Sequence, residues 1–306
     1  MAGNRPQSDQ RIVLAENTGR LPRFQTRTVI AQEGSTRKVY KYAVNEHALP
    51  FLEDIIMREM ANREYFREAF RVLSGTLQRE RIEYEYVPFP SLLDIMTNHL
   101  RRKRFSEADD VFKSYVKRVQ SLQQVRVFPE DFVGFVVDGS CCRESEMLCL
   151  RRGVLDLIPR NIVLAHEEWV VLDNEWSFDF PIPQVFVLFR AIRDTSIALQ
   201  NEIRAAASKE VPVVNLLAHG THDIYVPRKW IGYMESESTS LRQMLRWECG
   251  FQRYVVGEDY VSSGRVKRFP KTRIKVPIWH QERCGRSATA ISRLIKRLPR
   301  MKRYAR

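Results

Sequence analysis

The 306-residue sequence predicts an α+β fold in two lobes, a small antiparallel-sheet lobe and then a mostly helical lobe, with a basic helical C-terminal tail. Three observations carry that expectation. Short β-branched and aromatic runs between turn residues fill the N-terminal region, apolar residues at helical spacing dominate the middle of the chain, and positive charge gathers at the C-terminal end.

In the first lobe, Ile12-Val13-Leu14, Phe24 to Ile30 and Val39 to Val44 alternate with the turn signals Thr18-Gly19 and Glu33-Gly34-Ser35, which predicts three antiparallel strands. Leu49, Leu52, Ile55, Ile56 and Met60 then recur at spacings of three and four. One helix or two should follow, reaching towards Leu73. Arg81 to Val87 reads as a strand ended by Pro88 and Pro90, and Ser91 precedes the helical pattern Leu92, Leu93, Ile95, Met96, Leu100. The boundary between lobes falls at Glu85 to Pro90, giving a first lobe of residues 1–87, a helical lobe of 88–263 and a tail of 264–306. Within the helical lobe one exception is expected, a β-hairpin of Ile162-Val163-Leu164 and Trp169-Val170-Val171-Leu172 around the polar turn Ala165 to Glu168.

With 44% apolar residues the chain can bury a substantial core, which excludes a disordered protein. The net charge of +13 is uneven: residues 264–306 hold 15 Lys/Arg against the single acid Glu282, so the body before them is nearly neutral. Five cysteines, Cys141, Cys142, Cys149, Cys249 and Cys284, show no CxxC spacing, which argues against a zinc site and for a reducing, cytoplasmic compartment. The polar start MAGNRPQSDQ is no secretory signal, and no apolar run approaches the roughly 18 residues that span a bilayer. A soluble or peripheral protein is expected.

The chemistry concentrates between residues 155 and 190. Asp156-Leu157-Ile158-Pro159-Arg160-Asn161 precedes the hairpin, and Asp173-Asn174-Glu175-Trp176 comes after it. A loop carrying an Asp and then an Asn five positions on can present both to one cavity, and a hairpin can return a second Asp beside them. Phosphoryl transfer needs such a set: one carboxylate to orient the attacking hydroxyl and take its proton, and hard oxygen ligands for Mg²⁺. Either Asp or Asn alone would be an ordinary loop or cap residue; their order and spacing make the case.

This stretch resembles protein-kinase-like phosphotransferases. With Leu155, Pro181-Ile182-Pro183 and Val187-Leu188-Phe189-Arg190 it looks most similar to the kinase halves of bacterial methyltransferase-kinases that cap O-antigen polysaccharides. The specific likeness covers Leu155 to Arg190; the lobe arrangement extends it weakly from about residue 11 to 200. The resemblance implies ATP and Mg²⁺ as cofactors, Asp156 as catalytic base, and Asn161 and Asp173 as metal ligands. It also implies Lys41 of Val39-Tyr40-Lys41, with Lys38 as a rival, as the lysine on the nucleotide phosphates. Glu53, or else Glu59, would be that lysine's helix partner, and the Glu85 carbonyl and Val87 amide would bind adenine. By the same resemblance the acceptor is a sugar or glycan hydroxyl in cell-surface polysaccharide biosynthesis, with an aminoglycoside- or choline-type kinase and a catalytically silent scaffold as alternatives.

The sequence departs from the protein-kinase pattern in three places. No G-x-G-x-x-G loop is present, Val154 stands where such kinases have His, and Glu175 stands where they have Gly. Few residues separate Glu175 from Pro183, leaving little room for a long activation loop and favouring a small-molecule or glycan acceptor. In the tail, Ile291, Leu294, Ile295 and Leu298 recur at helical spacing among Arg293, Lys296, Arg297 and Arg300. Such a basic amphipathic helix suits the inner face of an anionic membrane, or a methyltransferase or glycosyltransferase partner. Nucleic acid ranks last, because no zinc-ligand or aromatic-rich RNA motif accompanies the charge.

Overall fold

The computed structural model describes residues 11–136, 146–207, 211–217, 223–234 and 239–257. The predicted tail and Cys141, Cys142 and Cys284 lie outside the described residues.

The first lobe is built on β1 (Arg11–Glu16), β2 (Thr26–Glu33) and β3 (Thr36–Ala43), followed by the helix α1 (Leu49–Phe66) and the strands β4 (Arg71–Val72), β5 (Thr76–Gln78) and β6 (Arg81–Glu85). Antiparallel pairing gives a five-stranded sheet in the order β1-β2-β3-β6-β5, in which β6 is the strand expected from Arg81 and β5 is the one the sequence reading did not expect. Gly34, with φ of 61°, makes the tight β2–β3 turn in the left-handed region that glycine tolerates. The helix ends at Phe66, short of Leu73. There the chain turns extended, β4 pairs in parallel with a strand of the second lobe, and the Leu73 amide donates to the Val171 carbonyl at 2.9 Å. Strand β1 forms one edge of the sheet, and its Ile12, Val13 and Leu14 are 53%, 57% and 55% exposed.

The second lobe opens with α2 (Leu92–Arg101) and α3 (Phe105–Ser121), then β7 (Gln124–Val127), α4 (Glu130–Val136), β8 (Met147–Leu150) and β9 (Gly153–Val154). Ser91 caps α2 as expected: its hydroxyl accepts from the Asp94 amide at 3.1 Å while the Asp94 carboxylate accepts from the Ser91 amide at 3.0 Å. The predicted hairpin is β10 (Ile162–Ala165) and β11 (Glu168–Val171), turned by His166 and Glu167 at φ of 49° and 71°. Beyond it come β12 (Ser177–Phe178), β13 (Ile182–Pro183), α5 (Gln184–Ala198), α6 (Gln200–Ala206), β14 (Val213–Leu217), β15 (Asp223–Pro227), α7 (Arg228–Gly232) and α8 (Leu241–Val256). The hairpin is therefore not this lobe's single β exception. Strands β12 and β13 pair with β9 and β8, which ties the link from Glu175 to α5 into the lobe.

One continuous core runs through both lobes. At their junction Phe24, Phe51 and Trp176 pack with ring centres 5.0 to 5.3 Å apart, and Phe251 of α8 meets Trp176 at 5.5 Å. No helix among the described residues is long and apolar enough to cross a membrane.

Helix α8 approaches α4 so closely that a Cβ at Gly250 would fall inside the Val136 carbonyl, whereas a Cβ at Gly134 would meet nothing within 4 Å. Thermal denaturation should show Gly250→Ala destabilised by about 2–3 kcal/mol through forced overpacking. Gly134→Ala in α4 should be neutral or up to about 1 kcal/mol more stable.

Candidate active site

The candidate site starts from the segment between β9 and β10, whose carbonyls are pinned one after another. Arg190 of α5 donates Nε to the Leu155 carbonyl at 3.2 Å, Tyr115 of α3 donates its hydroxyl to the Leu157 carbonyl at 2.6 Å, and Asn161 Nδ2 donates to the Asp156 carbonyl at 3.1 Å. Arg190 is held in turn by the buried carboxylate of Glu248 on α8 at 2.7 Å. Burial works against charge on Glu248, but Arg190 and Arg193 outweigh it and keep its pKa below the ordinary value. The Asp156 side chain then has one position, with Oδ2 accepting from the Trp176 amide at 3.2 Å.

The hairpin returns Asp173 to this segment, because the Leu172 amide closes onto the Asn161 carbonyl at 2.8 Å. Lys41 reaches across from β3, donating to Asp173 Oδ1 at 2.9 Å and Glu175 Oε1 at 2.8 Å. Strand alternation decides between the two candidate lysines. Lys41 shares the cleft face with Thr28 and Val39, while Lys38 lies on the opposite face, bonded to Glu83 at 2.5 Å.

The expected lysine–helix pairing is not the one formed. Glu53 is exposed on α1, and Lys41 pairs instead with Asp173 and Glu175. Glu59, the rival, is only 2% exposed and accepts from the Tyr84 hydroxyl at 2.7 Å and the Gly75 amide at 3.0 Å. The physical reason is helix phase: Glu59 falls on the buried stripe Leu52, Ile55, Asn62, Phe66, and Glu53 falls off it. Glu85 ends β6, opposite Lys38 and with an exposed side chain, and Val87 is half-buried two residues on. The Val87 amide has no protein acceptor among the described residues. Glu85 also lines a cavity of 1010 Å³ behind α1, with Arg67, Phe70, Arg118 and Trp169. That cavity includes neither Asp156 nor Asp173.

Sequence reading missed Glu175 and Arg20. The Glu175 carboxylate, 2% exposed, accepts from Lys41, from Arg20 Nη1 at 2.7 Å and from Thr26 Oγ1 at 3.3 Å, and its carbonyl accepts from Arg58 of α1. Burial opposes its charge, yet Lys41 and Arg20 prevail and lower its pKa to about 2. Burial likewise works to lower the Lys41 ammonium, but Asp173 and Glu175 hold it above its ordinary value. Asp156 goes the other way: burial first, then the charges of Asp173 and Glu175, raise its carboxyl to about 8. The one sequence signal for Glu175 was an acid where kinases have glycine.

Oxygens of Asp156, Asp173 and Glu175 lie within 4.8 Å of one another, a hard-oxygen donor set suited to a divalent cation such as Mg²⁺. Asn161 fits beside it, because its Nδ2 is committed to the Asp156 carbonyl and its Oδ1 is left as an acceptor.

No protein-family description and no curated protein matches the chain in sequence. Among solved structures it is similar to an aminoglycoside phosphotransferase (TM-score 0.41, 11% identity, covering 83% of this chain and 88% of that one). Another is a macrolide 2′-phosphotransferase from Brachybacterium faecium (0.37, 10%, 84% and 90%). A third is a choline kinase from Streptococcus pneumoniae (0.31, 11%, 73% and 88%). At these scores the likenesses carry no argument about activity. The sheet order, the helix between β3 and β4, and the largely helical second half give a bilobal α+β architecture.

Because the folded state binds the Asp156 proton more tightly than the unfolded chain does, stability falls as pH rises from about 4 to the Asp156 value of about 8. Glu175 acts oppositely, and its contribution is lost as pH drops from 4.5 to about 2. Asp156→Asn should therefore melt at least about 3 °C above the wild type at pH 8–9, with the gap closing towards pH 5, in thermal scans across that range.

Proposed function

We propose that the chain is an ATP- and Mg²⁺-dependent phosphotransferase that moves the γ-phosphoryl group to a hydroxyl of a sugar or glycan in cell-surface polysaccharide biosynthesis. The observation that carries the proposal is the convergence of Lys41, Asp156 and Asp173 from three separate segments, with Lys41 Nζ 2.9 Å from Asp173. In the reaction, the acceptor oxygen bonds to the γ-phosphorus as the bond to the β–γ bridging oxygen breaks and its electron pair leaves on ADP. The hydroxyl proton passes to Oδ1 of the ionised form of Asp156, which prevails above about pH 8, while Oδ2 stays on the Trp176 amide. Lys41 binds the α- and β-phosphates, and the main chain at Glu85 and Val87 binds adenine. Asp173 and Asn161 would hold Mg²⁺, which would offset the negative charge of the nucleotide phosphates. Glu53 has no part in this arrangement.

The glycan acceptor is supported by the sequence resemblance and by the link from Glu175 to α5, which β12 and β13 bind into the second lobe, away from any role as a peptide platform. The same link also favours a second reading, a soluble small-molecule acceptor of the aminoglycoside or choline kind. The tail supports docking to an anionic inner-membrane face or to a methyltransferase or glycosyltransferase, and it lies outside the described residues. The lobe limits 1–87 and 88–263 belong to the same proposal.

Coupled ADP-release assays test it, with short glycans, aminoglycosides and choline as acceptors. Wild-type protein should turn over ATP only with Mg²⁺, and Asp156→Ala and Asp173→Ala should each lose at least about 100-fold. The acceptor that raises turnover chooses between the two readings; a wild type that neither binds nor hydrolyses ATP sinks both.

A further inference from the structure

The connection between β1 and β2, residues 17–25, contains Thr18-Gly19, one of the two glycine turns in the first sheet, and it is not a glycine cradle. Gly19, its one glycine, has no left-handed φ, and a Cβ there would meet nothing within 4 Å, so no close backbone approach depends on it. Instead the connection is tied down. Gln25 Nε2 donates to the Thr18 and Arg20 carbonyls, each at 2.9 Å, and Asn45 Nδ2 donates to Gln25 Oε1 at 3.0 Å and the Pro22 carbonyl at 3.1 Å. The Leu21 amide donates across to the Val255 carbonyl of α8 at 2.9 Å, and Phe24 is buried between Phe51 and Trp176.

This fixed connection delivers Arg20. Its Nη1 bonds Glu175 at 2.7 Å and the Phe24 carbonyl at 3.5 Å, and its guanidinium lies 5.3 Å from the Trp176 ring centre. The side chain nevertheless stays 19% exposed against 3% for Glu175, and Nε and Nη2 have no protein acceptor among the described residues. Arg20 and Lys41 thus bracket one carboxylate, with the lysine reaching Asp173 as well. A partly exposed guanidinium with idle N–H groups beside Lys41 matches the oxygens of a phosphate chain.

We propose that Arg20 is a phosphate-binding residue, replacing the main-chain amides of a glycine-rich loop with a side-chain cation aimed at the terminal phosphates of the nucleotide. The inference rests on the phosphotransferase reading. Glu175 serves it as a positioning residue, holding Arg20 and Lys41 side by side before nucleotide arrives.

Titrations of the full chain with ATP, ADP and AMP in the presence of Mg²⁺ test it, comparing wild type, Arg20→Gln and Arg20→Lys, with melting curves to verify folding. Arg20→Gln should weaken ATP binding roughly tenfold or more while leaving AMP within about threefold, because only the distal phosphates lose a charged partner. Arg20→Lys should recover part of the loss, and if Arg20→Gln does not fold, the ATP-to-AMP ratio of Arg20→Lys decides alone. Equal losses for ATP and AMP, or no loss, would overturn the role of Arg20 and leave the phosphotransferase reading standing. A wild type that binds none of the three nucleotides overturns that reading and this one with it.

Discussion

The carboxylate of Glu175 is ionised in an interior where an unpaired charge would cost several kcal/mol, and it survives there because Lys41 and Arg20 close on it from the opposite lobe. Removing either cation leaves a buried charge short of a partner; removing Glu175 leaves two cations facing each other. Around this centre the remaining contacts between lobes fall into place. Arg58 bonds the Glu175 carbonyl, Asn62 donates to Asn174 at 2.9 Å, and Ser177 donates back to Asn62 at 2.9 Å. Helix α1 is therefore fastened to the segment 174–177 by polar contacts at three positions, and the aromatic cluster of Phe24, Phe51 and Trp176 excludes water beside them.

The clustered carboxylates differ in character. Asp173 and Glu175 share a cation and Glu175 holds its charge, whereas Asp156 sits among like charges in a buried site and holds its proton more tightly than an exposed aspartate does. Neighbouring acids driven apart in proton affinity are what acid–base chemistry in a common pocket requires. Glu248 supports the arrangement from a distance: through Arg190 it holds the Leu155 carbonyl, so α8 contributes to the geometry of Asp156 without touching it.

The parts of this structure that could be read from the sequence are those written locally. The strands β2 and β3, the Ser91 cap and the hairpin around His166 and Glu167 each have their signal within a few residues, and so does the spacing of Asp156, Asn161 and Asp173. Glu175 was out of reach because its meaning lies in partners 134 and 155 residues away, which no local pattern announces. The choice of Glu53 over Glu59 rested on distance along α1, when the burial stripe through Leu52, Ile55 and Asn62 sets which acid faces inward. Strands of two to five residues, such as β9, β12 and β15, carry too few alternations to register as a period and exist only because a partner strand is at hand.

Strand β1 brings a consequence of another kind. Among the described residues no strand pairs with its outer edge, which lies beside three consecutive exposed aliphatic residues, the pattern by which one folded molecule can template on another. Arg11 and Glu16, charged residues at either end of the strand, act as gatekeepers, and the bulge between Val13 and Ala15 spoils the flatness that stacking needs. Among the described residues, self-association through a sheet edge would be governed by these six residues rather than by the core.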